Sequence, residues 1–299
     1  MILDGNPHRA RKHDHNGEHD RAARPARIVV VVDASTEAMA ALRSAAALAA
    51  QQHLPLLAVI ADEPARARSA AYPFACEVGA LSGAIRPLDR AAVARRLDPG
   101  AAEIRRIVAR ITRQAGVAWE AVVVRERVVD EVLAVSARGD LLMLAHASAL
   151  ARPGRGLVEA ALRLARGAAG SVQISAAVSA SHRERVAVLI DDLAAGPALL
   201  GAAAVRARMS SRRLVVLAAP DAGQRQLARL KDLLASAGIR ARVRSLATLT
   251  TGELLRVLAE ENAAELVVAR GGAWLDSPAA ERLLARWRLP VLVAPGRAD

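Results

Sequence analysis

From Arg27 onward the chain alternates short runs rich in valine and leucine with longer stretches in which apolar side chains recur every three or four residues. The first pattern suits a strand buried on both faces and the second an amphipathic helix, so the order reads as strand–helix–strand units of a parallel sheet. Strands are expected near 28–32, 56–61, 118–125, 141–145 and 172–175, with helices near 36–52, 101–115, 128–137 and 157–166. A second set follows in the same order, with strands near 186–190, 214–218, 239–247, 266–269 and 291–294 and helices near 196–209, 224–237, 251–261 and 278–287. The pattern therefore predicts an α/β protein of two tandem five-stranded parallel-sheet domains, Rossmann-like, with right-handed crossovers.

The two sets repeat each other in sequence. Arg27-Ile-Val-Val-Val-Val-Asp33 aligns with Arg185-Val-Ala-Val-Leu-Ile-Asp191 at an offset of 158, and in that register Leu42 falls on Leu200 and Ala45 on Ala203. Farther along, Gly116 matches Gly238 and Glu131 matches Glu253 at an offset of 122. The smaller offset places about 36 extra residues in the first copy, between its second strand and second helix. The chain thus divides into a tail, 1–26, a first domain, 27–180, with an insertion near 62–100, and a second domain, 181–299. The insertion holds the only Tyr (Tyr72), the only Phe (Phe74) and the only Cys (Cys76). It follows the carboxyl end of a strand, where parallel sheets bind ligands; it reads as a cover over that crevice or as a solvent loop.

Composition narrows the picture. With 53% apolar residues the 299-residue chain can bury two cores of domain size, filled by Ala, Val and Leu because aromatics make up only 2%. A single cysteine excludes an internal disulfide and a thiolate metal cluster, in keeping with a reducing cytoplasm. No run of eighteen uncharged apolar residues occurs and the start lacks a secretory stretch, so no membrane association is expected and a cytoplasmic location is. The net charge of +12 comes from arginine, since Lys12 and Lys231 are the only lysines. Those arginines are scattered without stacking aromatics, which disfavours nucleic acid as a partner. The tail carries His8, His13, His15 and His19 with no hydrophobic period, so it reads as disordered and without a second shell to orient metal ligands.

Several segments together resemble the universal stress protein family. Val32-Asp33-Ala34-Ser35 stands where the family has Val-Asp-Gly-Ser, Asp140-Leu-Leu-Met-Leu-Ala145 and Glu265-Leu-Val-Val-Ala-Arg270 match its fourth strand, and Pro290-Val-Leu-Val293 matches its last. The resemblance spans residues 27–295 and implies a tandem arrangement of two such domains. It also implies an ATP-binding signature after the fourth strand, Gly-x-x-Gly, nine residues, then Gly-Ser or Gly-Thr, in which glycines admit the triphosphate and a helix start meets its oxygens. In the first copy Ala145 and Ser148 stand at the leading glycines and Gly156-Leu157 at the closing pair, with a shortened loop between. In the second, Arg270 replaces the first glycine, Gly271 and Gly272 follow, and Ser277-Pro278 stands at the close. Asp33 and Asp191 hold the place where the family sets an acid near base and ribose. Each can equally cap the helix that follows, as can Ser35 and Thr36. His146 with Arg152 and Arg155 can hold an anion by charge or line the crevice wall, and Arg270 can do similar work or fill the vacated space.

These readings make the candidate cofactor-binding residues Asp33, Ser35, Ala145, His146, Ser148 and Gly156 in the first copy and Asp191, Arg270, Gly271 and Gly272 in the second. No nucleophile–base–orienter set or acid pair stands at a credible spacing, so no catalytic residue, metal site or enzyme activity is expected. The expected function is a stress-response regulatory or partner-binding protein with degenerate nucleotide sites, no cofactor and an unidentified protein partner. One alternative is an ATP or AMP sensor using the first copy; another is a basic adaptor for an acidic partner or nucleic acid. Family members pair through the last strand, so 172–175 and 291–294 are expected to meet within the chain, and two chains can pair again as a homodimer.

Overall fold

The computed structural model describes residues 25–33, 35–61, 76–78, 83–87, 90–124, 127–145, 156–175, 182–220, 222–286 and 289–296. The histidines of the tail, Tyr72 and Phe74 lie outside the described residues. In the first half the elements are β1 (Arg27–Val32), α1 (Thr36–Gln52), β2 (Leu56–Ala61), β3 (Cys76–Val78), β4 (Ile85–Pro87), α2 (Arg90–Ala115), β5 (Trp119–Val124), α3 (Val128–Val135), β6 (Asp140–Ala145), α4 (Gly156–Gly167) and β7 (Ser171–Ser175). The second half follows with β8 (Arg185–Ile190), α5 (Gly196–Met209), β9 (Arg213–Ala218), α6 (Gln224–Ser236), β10 (Ala241–Ser245), α7 (Thr251–Glu260), β11 (Ala263–Ala269), α8 (Pro278–Arg286) and β12 (Val291–Ala294).

Ten strands form one sheet in the order β10-β9-β8-β11-β12-β7-β6-β1-β2-β5. Every neighbour pair is parallel except the central one, where β12 and β7 run antiparallel with Val291 opposite Ile174 and Val293 opposite Val172. The expected pairing of the two last strands is therefore made within one chain, and it removes two open edges. Among the described residues the remaining edges are β5 and β10, and β3 and β4 form a separate small hairpin.

Burial follows the strand period of two. Ile28, Val30 and Val32 join one apolar layer with Val186, Val188 and Ile190. Val29 and Val31 join the other with Ala187 and Leu189. Each layer runs through both halves. This differs from the two domain-sized cores expected from length, because the β7–β12 junction lets side chains pack without a break across the middle. Such burial contributes roughly 1.5–3 kcal/mol for each large aliphatic side chain.

The repeat is structural down to single positions. Buried Ala41, Leu42, Ala45, Ala46 and Ala49 of α1 correspond at the 158 offset to Leu199, Leu200, Ala203, Ala204 and Ala207 of α5. Gly116 and Gly238, the pair at the 122 offset, have φ of 67° and 63° just beyond α2 and α6, a left-handed turn that glycine makes without strain. Arg27 and Arg185 open equivalent strands, and each is paired to an acid: Arg27 Nη2 to Asp140 Oδ2 at 2.7 Å and Arg185 Nη1 to Glu261 Oε2 at 2.7 Å.

One helix departs from its expected bounds by more than two residues. α2 starts at Arg90 and not near 101, running through Pro99 and Gly100, two residues whose chemistry argues for a break.

Candidate functional site

Parallel sheets of this kind bind ligands at the carboxyl ends of strands where the order reverses. Here those points lie between β1 and β6 and between β8 and β11. Strand lengths place Asp33 and Ala145 at the first, and Asp191 and Arg270 at the second. The structure thus brings Asp33, Ser35 and Ala145 to one switch point, and Asp191, Arg270, Gly271 and Gly272 to the other.

At the first crevice Asp33 is buried, and its Oδ1 accepts the N–H of Ser35 at 2.7 Å. Ser35 is the N-cap of α1, its Oγ accepting the N–H of Ala38 at 3.1 Å. Of the capping candidates, Ser35 holds the role and Asp33 shapes the turn that presents it. Ala145 is buried against Ala38 and Ala41, so a methyl contact with α1 occupies the place of a phosphate-binding glycine. Gly156 opens α4. His146, Ser148, Arg152 and Arg155 lie outside the described residues.

At the second crevice the candidates bond within the chain. Asp191 does not cap α5, whose N-cap is Ala195 with no side-chain bond. Instead Asp191 Oδ2 accepts the N–H of Trp274 at 2.8 Å, across the switch point. Gly272 lies hard against the same carboxylate, since a Cβ there would stand 2.7 Å from both oxygens. Gly271 is exposed with a φ of 75°, turning the loop inward. The Trp274 side chain is 1% exposed and belongs to the apolar layer containing Leu283 and Val291. Asp192, the neighbouring acid, accepts the N–H of Ala194 at 2.8 Å.

Arg270 reaches into the first half. Its Nε donates to Ala165 O at 2.8 Å, Nη1 to Ala169 O at 3.5 Å, and Nη2 to Gly170 O. These carbonyls end α4 and lead into β7, where a cation meets the negative end of the helix. Burial pushes the guanidinium below its ordinary value, yet an arginine so bonded stays charged at neutral pH. Arg166 of α4 answers from the other side, donating to Leu275 O at 2.8 Å and pairing with Asp276 Oδ1 at 2.8 Å. The loop that the family resemblance assigns to phosphate is here a clasp between the halves.

Sequence reading missed Trp274 and Arg166 as parts of this arrangement. The available signal was one tryptophan, in a chain with only three, two positions after a Gly-Gly pair in the crevice loop. Among the described residues no group of three or more His, Cys, Asp or Glu is placed to hold a metal, and no helix is long and apolar enough to cross a membrane.

Across known proteins the architecture has counterparts. A universal stress protein from Archaeoglobus fulgidus DSM 4304 superposes with a TM-score of 0.66 at 16% identity, covering 93% of this chain and 98% of that one. A putative universal stress protein from Pseudomonas aeruginosa UCBPP-PA14 does so at 0.56 and 16% identity, covering 92% and 95%. No family model matches the sequence, and no curated protein does. The class is thus an α/β protein with two switch-point crevices in one shared sheet. Its fold is that of the universal stress proteins, in tandem form.

Proposed function

We propose that this chain is a regulatory, partner-binding protein of the stress response, with degenerate nucleotide sites and no reaction of its own. The observation that carries the reading is the second crevice, where Asp191 is engaged by Trp274 N–H and closed over by Gly272 while Arg270 bonds carbonyls of the other half. A nucleotide there would have to displace a buried tryptophan and break the inter-half clasp. Such a protein acts through its surfaces, in the cytoplasm, on a protein partner. Pairing of two chains as a homodimer is compatible with it.

A second reading draws on the first crevice. Asp33 and Ser35 stand beside Ala145 at the β1/β6 switch point, which favours an ATP or AMP sensor with one working site. Thermal unfolding with and without millimolar ATP-Mg, AMP or a cyclic dinucleotide separates the two, because a ligand bound only by the native state raises the melting temperature. No nucleotide-dependent shift is expected. A rise of several degrees that Asp33→Ala abolishes, judged against that variant's own baseline, replaces the proposal with the sensor.

A further inference from the structure

The sheet's two open edges differ in chemistry. β5 exposes Val122 and Val123 and carries Glu120, whereas β10 carries arginine. β10 pairs with β9 on one side and ends the sheet on the other. Just past it, Leu246 donates its N–H to Ala218 O at 2.9 Å. By strand alternation the even-numbered residues bond toward β9, and Ala241, Val243 and Ser245 turn their N–H and C=O groups to the open side.

Beside that edge, between β10 and α6, lies a groove of about 430 Å³ lined by Lys231, Leu234, Ile239, Arg240, Ala241 and Val243. Leu234 is buried and Ile239, Ala241 and Val243 are half-buried, so the floor is apolar. Lys231 and Arg240 are exposed and form no ion pair among the described residues. The arginines on the other face of β10 are committed: Arg244 pairs with Glu260 and Glu261, and Arg242 reaches Glu261 at 3.6 Å. Among the described residues, uncompensated positive charge therefore flanks the groove beside an unpaired strand edge.

We infer that this edge and groove dock an extended, acidic segment of a partner protein. The segment adds to the sheet as a further strand, meeting the outward main-chain groups of Ala241, Val243 and Ser245. One row of its side chains faces the groove, apolar ones on its floor and acidic ones at its ends meeting Lys231 and Arg240. The chain's net charge of +12 steers an acidic segment toward it. The same cations repel a second copy's β10, so the edge is closed to self-pairing and open to an acidic strand. The inference rests on the partner-binding reading and narrows it to a surface.

The test is fluorescence anisotropy of a labelled peptide of about seven residues in which Thr alternates with a row that is Glu at both ends and Val between, a strand-length probe, with the full chain at low salt. The comparison probes are a peptide of the same composition with its Glu and Val in separate blocks, and a short oligothymidine. The alternating peptide is expected to bind at least about tenfold more tightly than either. Lys231→Glu with Arg240→Glu should weaken it about tenfold or more. Val243→Pro should do the same, because it removes an N–H aimed at the open side, where an edge strand tolerates proline; both variants should melt close to wild type. Equal binding of the block peptide or oligothymidine marks a general polyanion surface and overturns the inference, as does absent binding or binding that survives both variants. Loss of this surface would leave the contacts at the second crevice as they are, and an Asp33-dependent nucleotide shift would unseat the partner-binding reading without changing the peptide result.

Discussion

Asp191 meets the loop after β11 through two contacts of opposite character. It accepts the N–H of Trp274 at 2.8 Å, and its oxygens stand where a Cβ on Gly272 would come within 2.7 Å. Gly272→Ala must displace the carboxylate or the loop and should cost about 1–3 kcal/mol, and Asp191→Ala about 1–2 kcal/mol for the lost acceptor. With the carboxylate gone the alanine methyl has room, so the double variant should cost less than the sum by roughly 1 kcal/mol. Urea unfolding of the four proteins measures the cycle, and strict additivity would show that Gly272 and Asp191 do not press on each other. None of this was legible in the sequence. Asp191 and Trp274 lie 83 positions apart, and an aspartate ending a strand looks the same whether it caps the next helix or reaches across a switch point. Ser35 was legible as a cap because that bond is local, closing onto Ala38 three residues away.

Helix α7 shows how an element is held by charge at both ends. Thr250 caps it by accepting the N–H of Glu253, while Arg256 pairs with Glu253 in the first turn and Glu260 in the last. The bond from Arg256 holds the Glu253 carboxyl below its ordinary value of 4.5, and the bond from Arg244 does the same for Glu260. A carboxyl depressed in the folded state binds fewer protons than in the unfolded chain. Its contribution is therefore complete above the unfolded value near 4.5 and is lost as pH falls through the lower folded value. The melting temperature of wild type should fall more steeply between about pH 5 and 3 than that of Arg256→Gln. Because these groups are exposed, about 0.5 M salt should narrow the difference; parallel pH profiles would mean that the pairs contribute nothing. At this scale the sequence was most readable, since strand and helix periods are properties of neighbouring residues and the internal repeat checks each against its counterpart. The start of α2, 90–100, and the β3–β4 hairpin escaped because they lie in the one segment with no counterpart, and Pro99-Gly100 signals a break that the fold does not make.

The whole molecule depends on its centre. β7 and β12 bring Val172 opposite Val293 and Ile174 opposite Val291, all four buried, in the layer that runs from Val29 in one half to Leu217 in the other. Arg166 and Arg270 clasp the halves on that side, and on the opposite face Gln52 at the end of α1 donates to Met209 Sδ of α5 at 3.4 Å. Two independent domains would share little beyond a linker, but here neither apolar layer has a boundary at which unfolding could stop. Calorimetry should accordingly show one transition for the wild type, with calorimetric and van't Hoff enthalpies in agreement. Val293→Asp puts a carboxyl without a partner into the shared layer and should cost at least about 3 kcal/mol, lowering the transition by roughly 5–10 °C. Val122→Asp, the same change on the outer edge at a residue 40% exposed, should move it by no more than about 2 °C. Two well-separated wild-type transitions, or equal effects of the two substitutions, would mean that the central strand pair does not couple the halves and that the repeat folds as separate units laid side by side.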